Sequence, residues 1–266
     1  MAVVETERHG QIFIVRMNRP ERLNAMGREL MEALAEQWTL FRKDPDLEVA
    51  IFTGTGRGFC AGEDMKESLE EGSPTDPETT LDDPFMSQEL EKPVIAAING
   101  YAMGGGFMLV ERTDLRVASS DAIFEVSEAK RWLLGGYNHG TIANLPYPIA
   151  MEMALGFRFT AQRFYELGFL NRVVEPPKLI PTALAMAEHL LTLPPAARVN
   201  TVHMMRQMRP NTTKQQDLLA DALHQHGDLS DRMESRAAFA EKRKPNFKGW
   251  VDPEDRYKMP SLKDFV

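Results

Sequence analysis

The chain has 266 residues, with 31 Lys and Arg against 39 Asp and Glu, one cysteine and 43% hydrophobic residues. That length suits one large domain or one and a half and can bury a sizeable core, while the net charge of −8 argues against a nucleic-acid partner, which needs clustered cations. A single cysteine excludes an intramolecular disulfide framework or a multi-cysteine metal centre and suits a reducing compartment. No apolar run approaches the ~18–20 residues of a membrane span, and residues 1–10 carry acids without an apolar core, so neither a membrane nor a secretory role is expected. The expectation is a soluble cytoplasmic protein.

In chain order, Gln11–Met17 is short, β-rich and closed by Asn18-Arg19-Pro20, which predicts a strand ending in a turn. From Gly27 to Lys43 the period becomes helical, with Leu30, Leu34, Trp38 and Phe41 on one face and Asp44-Pro45 as the stop. Glu48–Thr53 predicts a buried strand that empties into Gly54-Thr55-Gly56, and strand, helix, strand in this order implies a parallel crossover. Glu67–Asp83, acidic and without apolar period, reads as a surface loop. Lys92–Ile98 is a further buried strand, and Gly104-Gly105-Gly106 opens a helix running to about Thr113. Leu115–Ala118, Ala122–Phe124 and Asn171–Val174 are short strand candidates. Beyond Pro181 only helix is read: Ala183, Met186, Ala187, Leu190 and Leu191 keep one face, Val199, Val202, Met205 and Met208 another more loosely, and Asp217–Lys242 forms a polar helical stretch before an extended tail. This divides the chain into an α/β body over 1–195 and a helical region with its tail over 196–266.

Two glycine loops follow buried strands, Thr53–Asp64 and Asn99–Gly106. Ligands of parallel α/β folds sit beyond the carboxyl ends of strands, so both loops are well placed. Glycine lets backbone N–H groups approach a ligand closely, and two such donors on one oxygen make an oxyanion hole. There is no phosphate-binding loop ending in Gly-Lys-Ser/Thr, no nucleophile elbow and no paired-histidine metal motif.

Four segments occur in order: Asn18–Met26 (NRPERLNAM), Phe59–Met65 (FCAGEDM), Ile98–Phe107 (INGYAMGGGF) and Gly168–Val174 (GFLNRVV). Together they resemble the enoyl-CoA hydratase/isomerase (crotonase) superfamily over nearly the whole chain. The resemblance implies a ββα spiral core with a C-terminal helical region that helps form homotrimers, often paired into hexamers. It implies an acyl-CoA thioester as substrate and no separate cofactor or metal, coenzyme A being part of the substrate. The thioester carbonyl would be held by the backbone N–H groups of Glu63 and Gly105. Ala25, Ala61, Gly62, Asp64 and Met65 would line the coenzyme A, with Arg22 near its phosphates. Glu128 matches one of the two carboxylates that hydratases of the family use as acid and base.

The sequence departs from that pattern twice. The position of the other carboxylate is Met108, which cannot transfer a proton; Glu111 lies one turn on, where an ion pair with a nearby arginine is the expected role. The loop Trp132–Thr141 carries Tyr137, Asn138 and His139 where the family has a Pro-Gly-Gly-rich stretch, so Trp132, Tyr137 and Met108 are expected to line the acyl pocket and His139 is a candidate proton carrier. The activity implied is hydration or isomerisation of an enoyl-CoA. The alternatives are a C–C lyase or hydrolase using His139 and an inactive CoA-binding homologue.

Overall fold

The structure is a computed structural model and describes residues 2–71, 82–131, 134–135, 145–210 and 212–265. The chain divides into two compact units, one of residues 1–125 and 158–209, the other of 126–157 and 210–266.

The first unit is built on a six-stranded sheet ordered β1-β2-β3-β5-β7-β10. Its strands are β1 (Val4–His9), β2 (Ile12–Met17), β3 (Val49–Gly54), β5 (Val94–Ile98), β7 (Leu115–Ser119) and β10 (Arg172–Val174). β1 pairs antiparallel with β2 and the remaining neighbours are parallel. Helix α1 (Arg28–Lys43) is the predicted crossover between β2 and β3. Residues alternate across the sheet with period two. On one side Ile12, Ile14, Val49, Ile51, Ile95, Ala97 and Val117 bury against Leu179, Ala183 and Ala187 of α6 (Leu179–Leu191). On the other, Phe13 stacks on Phe41, with ring centroids 6.0 Å apart, and Trp38 meets Phe52 edge-on at 5.1 Å and Phe85 face-on at 4.7 Å. Both faces being covered explains why the central strands read as continuous apolar runs.

A smaller sheet, β4-β6-β8-β9, takes the chain as it leaves the large one. Its strands are β4 (Gly58–Cys60), β6 (Tyr101–Met103), β8 (Ile123–Glu125) and β9 (Arg158–Thr160). β3-β4 leads into α2 (Met65–Glu71) and β5-β6 into α3 (Gly105–Glu111), so the strand–strand–helix repeat of a crotonase fold is present twice in succession. Helices α5 (Ala161–Glu166) and α7 (Pro195–Gln207) complete the unit.

The second unit holds α4 (Tyr147–Ala154), α8 (Lys214–Leu223) and α9 (Ser230–Ala240), with a 3₁₀ turn over Glu128–Arg131. Ser235 of α9 donates to the Lys130 carbonyl at 2.9 Å, and Arg131 lies over the Phe239 ring, 4.2 Å from its centroid. Buried Asp231 accepts from the Lys248 and Gly249 N–H groups at 2.8 and 2.7 Å, which ties the tail to α9.

Four expectations need correction. The acidic stretch from Glu67 begins as helix α2, and Glu67 turns back to accept the Arg28 N–H at 2.6 Å and so caps α1, whose Gly27 N-cap has no side chain to do it. Asp217–Lys242 is two helices, α8 and α9, rather than one. The tail contains 3₁₀ turns at Pro253–Tyr257 and Leu262–Phe265. Finally, α7 does not bury its methionines: Met205 and Met208 are 59% and 64% exposed, and the buried residue is Arg198. Arg198 is paired with Glu48, and Arg206 on the same helix forms a bidentate pair with Asp114 at 2.6 and 2.8 Å. Buried guanidinium groups are tolerated only with such partners.

Two outcomes follow from this packing. Trp38→Ala is expected to lower stability by about 3–5 kcal/mol, read from the urea midpoint. Cys60 is fully buried and burial pushes its thiol up to about 12. An aromatic disulfide reagent at pH 8 should therefore leave the native protein unlabelled and modify the urea-unfolded chain once; rapid labelling of the native state would contradict the burial.

Candidate active site

The first glycine loop is fixed by two asparagines. Asn24 is fully buried, sits at φ 55°, and donates to the carbonyls of Thr55 (3.0 Å) and Gly58 (2.8 Å) while accepting the Arg19 N–H at 2.8 Å. Asn99 donates to Gly56 (2.8 Å) and Gly58 (3.0 Å) and accepts from the Gly54 N–H at 3.1 Å. Short polar side chains are suited to such backbone bonding and to left-handed φ. Both residues lay inside segments the sequence marked as loops or turns, yet their crossing bonds depend on partners more than thirty positions away and carry no local signal.

Past β4, the loop turns at Gly62, with φ +89°, and a Cβ there would stand 2.8 Å from the Met103 carbonyl oxygen and 3.4 Å from the Gly105 nitrogen. The second loop ends at Gly106, where a Cβ would overlap the Cys60 carbonyl. The loops are thus in contact, and the contact exists only without side chains at these positions. Met26 straddles the first loop: its N–H donates to Gly62 O at 2.8 Å and its carbonyl accepts from Asp64 N–H at 2.9 Å. Glu63 lies between, and its N–H has no acceptor among the described residues; neither does that of Gly105 at the start of α3. The structure therefore places Glu63 and Gly105 on abutting loops, each with an amide that has no acceptor among the described residues. The side chain of Glu63 is engaged elsewhere, accepting from the Ser68 hydroxyl.

Helix α3 is short, and its far end is held by arginines. Arg116 donates to the carbonyls of Val110 (3.2 Å), Glu111 (2.9 Å) and Thr113 (3.3 Å) and lies 4.3 Å from the Phe169 ring centroid. Arg209 donates to Glu111 (3.3 Å) and Thr113 (3.1 Å). Cations at a helix C-terminus satisfy its last carbonyls and oppose its dipole. Burial pushes Arg116 down to about 10, which leaves it charged at neutral pH.

The residues expected along coenzyme A lie on the first glycine loop and on the segment that precedes α1. Ala25 and Gly62 are buried, Ala61 and Met65 half-buried. Asp64 is buried and accepts from Arg19 at 3.2 Å, with Arg22 3.5 Å away, and Arg19 also donates to the Ala25 carbonyl at 2.6 Å. Arg22 is 42% exposed at its side chain. Sequence reasoning singled out Arg22 and missed Arg19, which does most of the bonding to Asp64.

Met108 stands on α3 one turn beyond Gly105, and Glu111 is buried near the charges of Arg112, Arg116 and Arg209. Glu128 opens the 3₁₀ turn of the second unit and is half-buried. His139, Trp132 and Tyr137 lie outside the described residues. Among the described residues no three His, Cys, Asp or Glu side chains could jointly hold a metal ion, and no helix is long and apolar enough to cross a membrane.

The enoyl-CoA hydratase/isomerase family model matches residues 7–250. The chain is 34% identical to the (E)-benzylidenesuccinyl-CoA hydratase of Thauera aromatica, covering 92% of this chain and 99% of the relative. It is also 34% identical to enoyl-CoA hydratase EchA19 of Mycobacterium tuberculosis, covering 93% and 99%. The crystal structure of carnitinyl-CoA hydratase from Mycobacterium avium superposes with a TM-score of 0.79 at 28% identity, covering 93% of this chain and 99% of that one. The fold, the two loops and these likenesses agree, and the chain belongs to the enoyl-CoA hydratase/isomerase family of crotonase-fold, acyl-CoA-processing enzymes.

Proposed function

We propose that the protein hydrates a 2-enoyl-CoA thioester. The observation that carries this reading is the pair of free amide donors on Glu63 and Gly105, at the contact of the two glycine loops. When a nucleophile adds to Cβ of an enoyl thioester, charge moves onto the thioester oxygen. Two preorganised N–H donors stabilise that enolate, and the loss of one donor from such a hole typically costs ~10²–10³ in rate. Glu128 is the acid and base: its carboxylate takes a proton from the attacking water as the oxygen bonds to Cβ, and the resulting carboxylic acid returns a proton to Cα, so that one water is added overall. Ala61, Gly62, Asp64 and Met65 with Ala25 form the wall for coenzyme A, and Arg22, still partly exposed beside Asp64, meets a phosphate. No metal or further cofactor is called for. A cytoplasmic homotrimer or hexamer is the assembly in which we expect this to occur.

Met108 favours a second reading within the same family. With one carboxylate rather than two, the same enolate serves a double-bond isomerase, in which Glu128 moves a proton between carbons of the acyl chain. Hydration is preferred because the relatives named above are called hydratases.

A panel of 2-enoyl-CoA thioesters, followed by loss of the conjugated absorbance and by product chromatography, separates the two. Water addition is expected for at least one member, and a 3-enoyl product would shift the reading to isomerisation. Glu128→Gln should lower kcat by ~10²–10⁴; an unchanged rate would remove Glu128 from the mechanism. Gly106→Ala must push α3 off the Cys60 carbonyl, and a shift of about 1 Å is expected to cost ~10²-fold in kcat/KM, a rate loss larger than its effect on folding would explain.

A further inference from the structure

Arg112 is the C-cap residue of α3, and its guanidinium is bonded differently from those of the arginines around it. The neighbouring guanidinium groups of Arg116 and Arg209 are satisfied by main-chain carbonyls, and Arg206 by Asp114. Arg112 makes a single side-chain hydrogen bond among the described residues, from Nη2 to the thioether sulfur of Met108 at 3.9 Å, and its Nε is buried without an acceptor. Asp83 and Glu111 act on it through space, but no hydrogen bond joins it to either carboxylate. Asp83 already accepts the N–H groups of Phe85 and Met86, at 2.8 and 3.1 Å.

Arg112 is half-buried, and its Nε, one of five guanidinium donors, is buried without an acceptor among the described residues, which is costly. A thioether is a poor acceptor, so the arrangement is one that an anion would complete. The identity of residue 108 matters here. A carboxylate at that position would lie one turn from Arg112 and pair with it; methionine leaves Arg112 without a carboxylate hydrogen bond among the described residues and itself adds no negative charge. Gly105, Met108 and Arg112 follow one another along one side of α3, and long side chains lean toward the helix N-terminus, which brings the guanidinium back to the level of Met108. From the Gly105 amide that is about one helical turn, ~5 Å, roughly the reach of a three- to four-carbon chain.

We propose that Arg112 binds a carboxylate on the acyl group, so that the preferred substrates are CoA monothioesters of short dicarboxylic acids. This rests on the reading of Glu63 and Gly105 as holders of the thioester carbonyl, and it adds a substrate class to that reading. Arg112 is a specificity-determining residue here, with no part in proton transfer.

The test compares a free acid with its methyl ester, which keeps shape and removes charge. Binding of the unreactive glutaryl-CoA and of its methyl ester is measured by calorimetry, and turnover of glutaconyl-CoA and of its methyl ester in parallel. The wild-type protein is expected to favour the acid by about 10–100-fold in both, the range of a charge-assisted hydrogen bond. In Arg112→Gln the ratio should fall to near one, and Arg112→Lys should keep part of it. Met108→Glu, which leaves the arginine in place, should also abolish the preference by pairing with it, and it stands in if Arg112→Gln does not fold. Equal binding of acid and ester by the wild type, or a ratio that survives both Arg112→Gln and Met108→Glu, would overturn the proposal. Acid-selective binding without turnover of any enoyl thioester would leave Arg112 assigned and reject the hydration chemistry, so the two failures are distinguishable.

Discussion

The structure depends on a close approach of two backbones. Gly62 fits beneath the Met103 carbonyl and Gly106 against the Cys60 carbonyl, and no side chain is possible at either place. Everything near the site is arranged around that contact. The small sheet brings β4 and β6 side by side, Met26 clasps the first loop on both sides of Glu63, and Asn24 and Asn99 hold the turn that precedes β4. With these restraints in place the amides of Glu63 and Gly105 have no acceptor among the described residues. Preorganised donors of this kind do not have to be reoriented when charge develops, which is where their catalytic value lies.

Arginine placement tells a related story. The protein is acidic overall, yet its buried and half-buried guanidinium groups are used locally and for different ends. Arg198 and Arg206 anchor α7 through Glu48 and Asp114, Arg116 and Arg209 close the end of α3, and Arg19 with Arg22 gathers at Asp64. α3 is thereby fixed at its C-terminal end by cations while its N-terminal end offers the amide of Gly105. Arg112 is the member of this set whose only side-chain hydrogen bond among the described residues goes to a thioether.

The sequence made some of this legible. The β2–α1–β3 crossover was readable because short continuous apolar runs and a sixteen-residue period of 3.6 are distinct. Gly62 and Gly104–Gly106 stood out as loops after strands, and the ordered motifs carried the family. β4 and β6 lay inside the two glycine loops and did not show as strands, nor did three-residue β9. α2 was hidden in an acidic stretch whose one structural clue, Glu67 capping a distant helix, is a tertiary bond. The orientation of α7 does not follow from its apolar pattern because its inward positions are buried Arg198 and half-buried Arg206, whose partners lie 150 positions away at Glu48 and 92 at Asp114. The site itself was legible as loops and as a missing carboxylate at Met108. The singular position of Arg112 was not, since it follows from what its neighbours bind.

The central claim is that the amides of Glu63 and Gly105 polarise a thioester carbonyl. Isotope-edited infrared difference spectroscopy of a bound acyl-CoA labelled with ¹³C at the thioester carbon observes that bond alone. The carbonyl stretch is predicted to fall in frequency on binding to the wild-type protein and to recover part of the way in Gly105→Pro, which lacks one donor. A carbonyl band at its solution frequency in the wild-type complex would contradict the account.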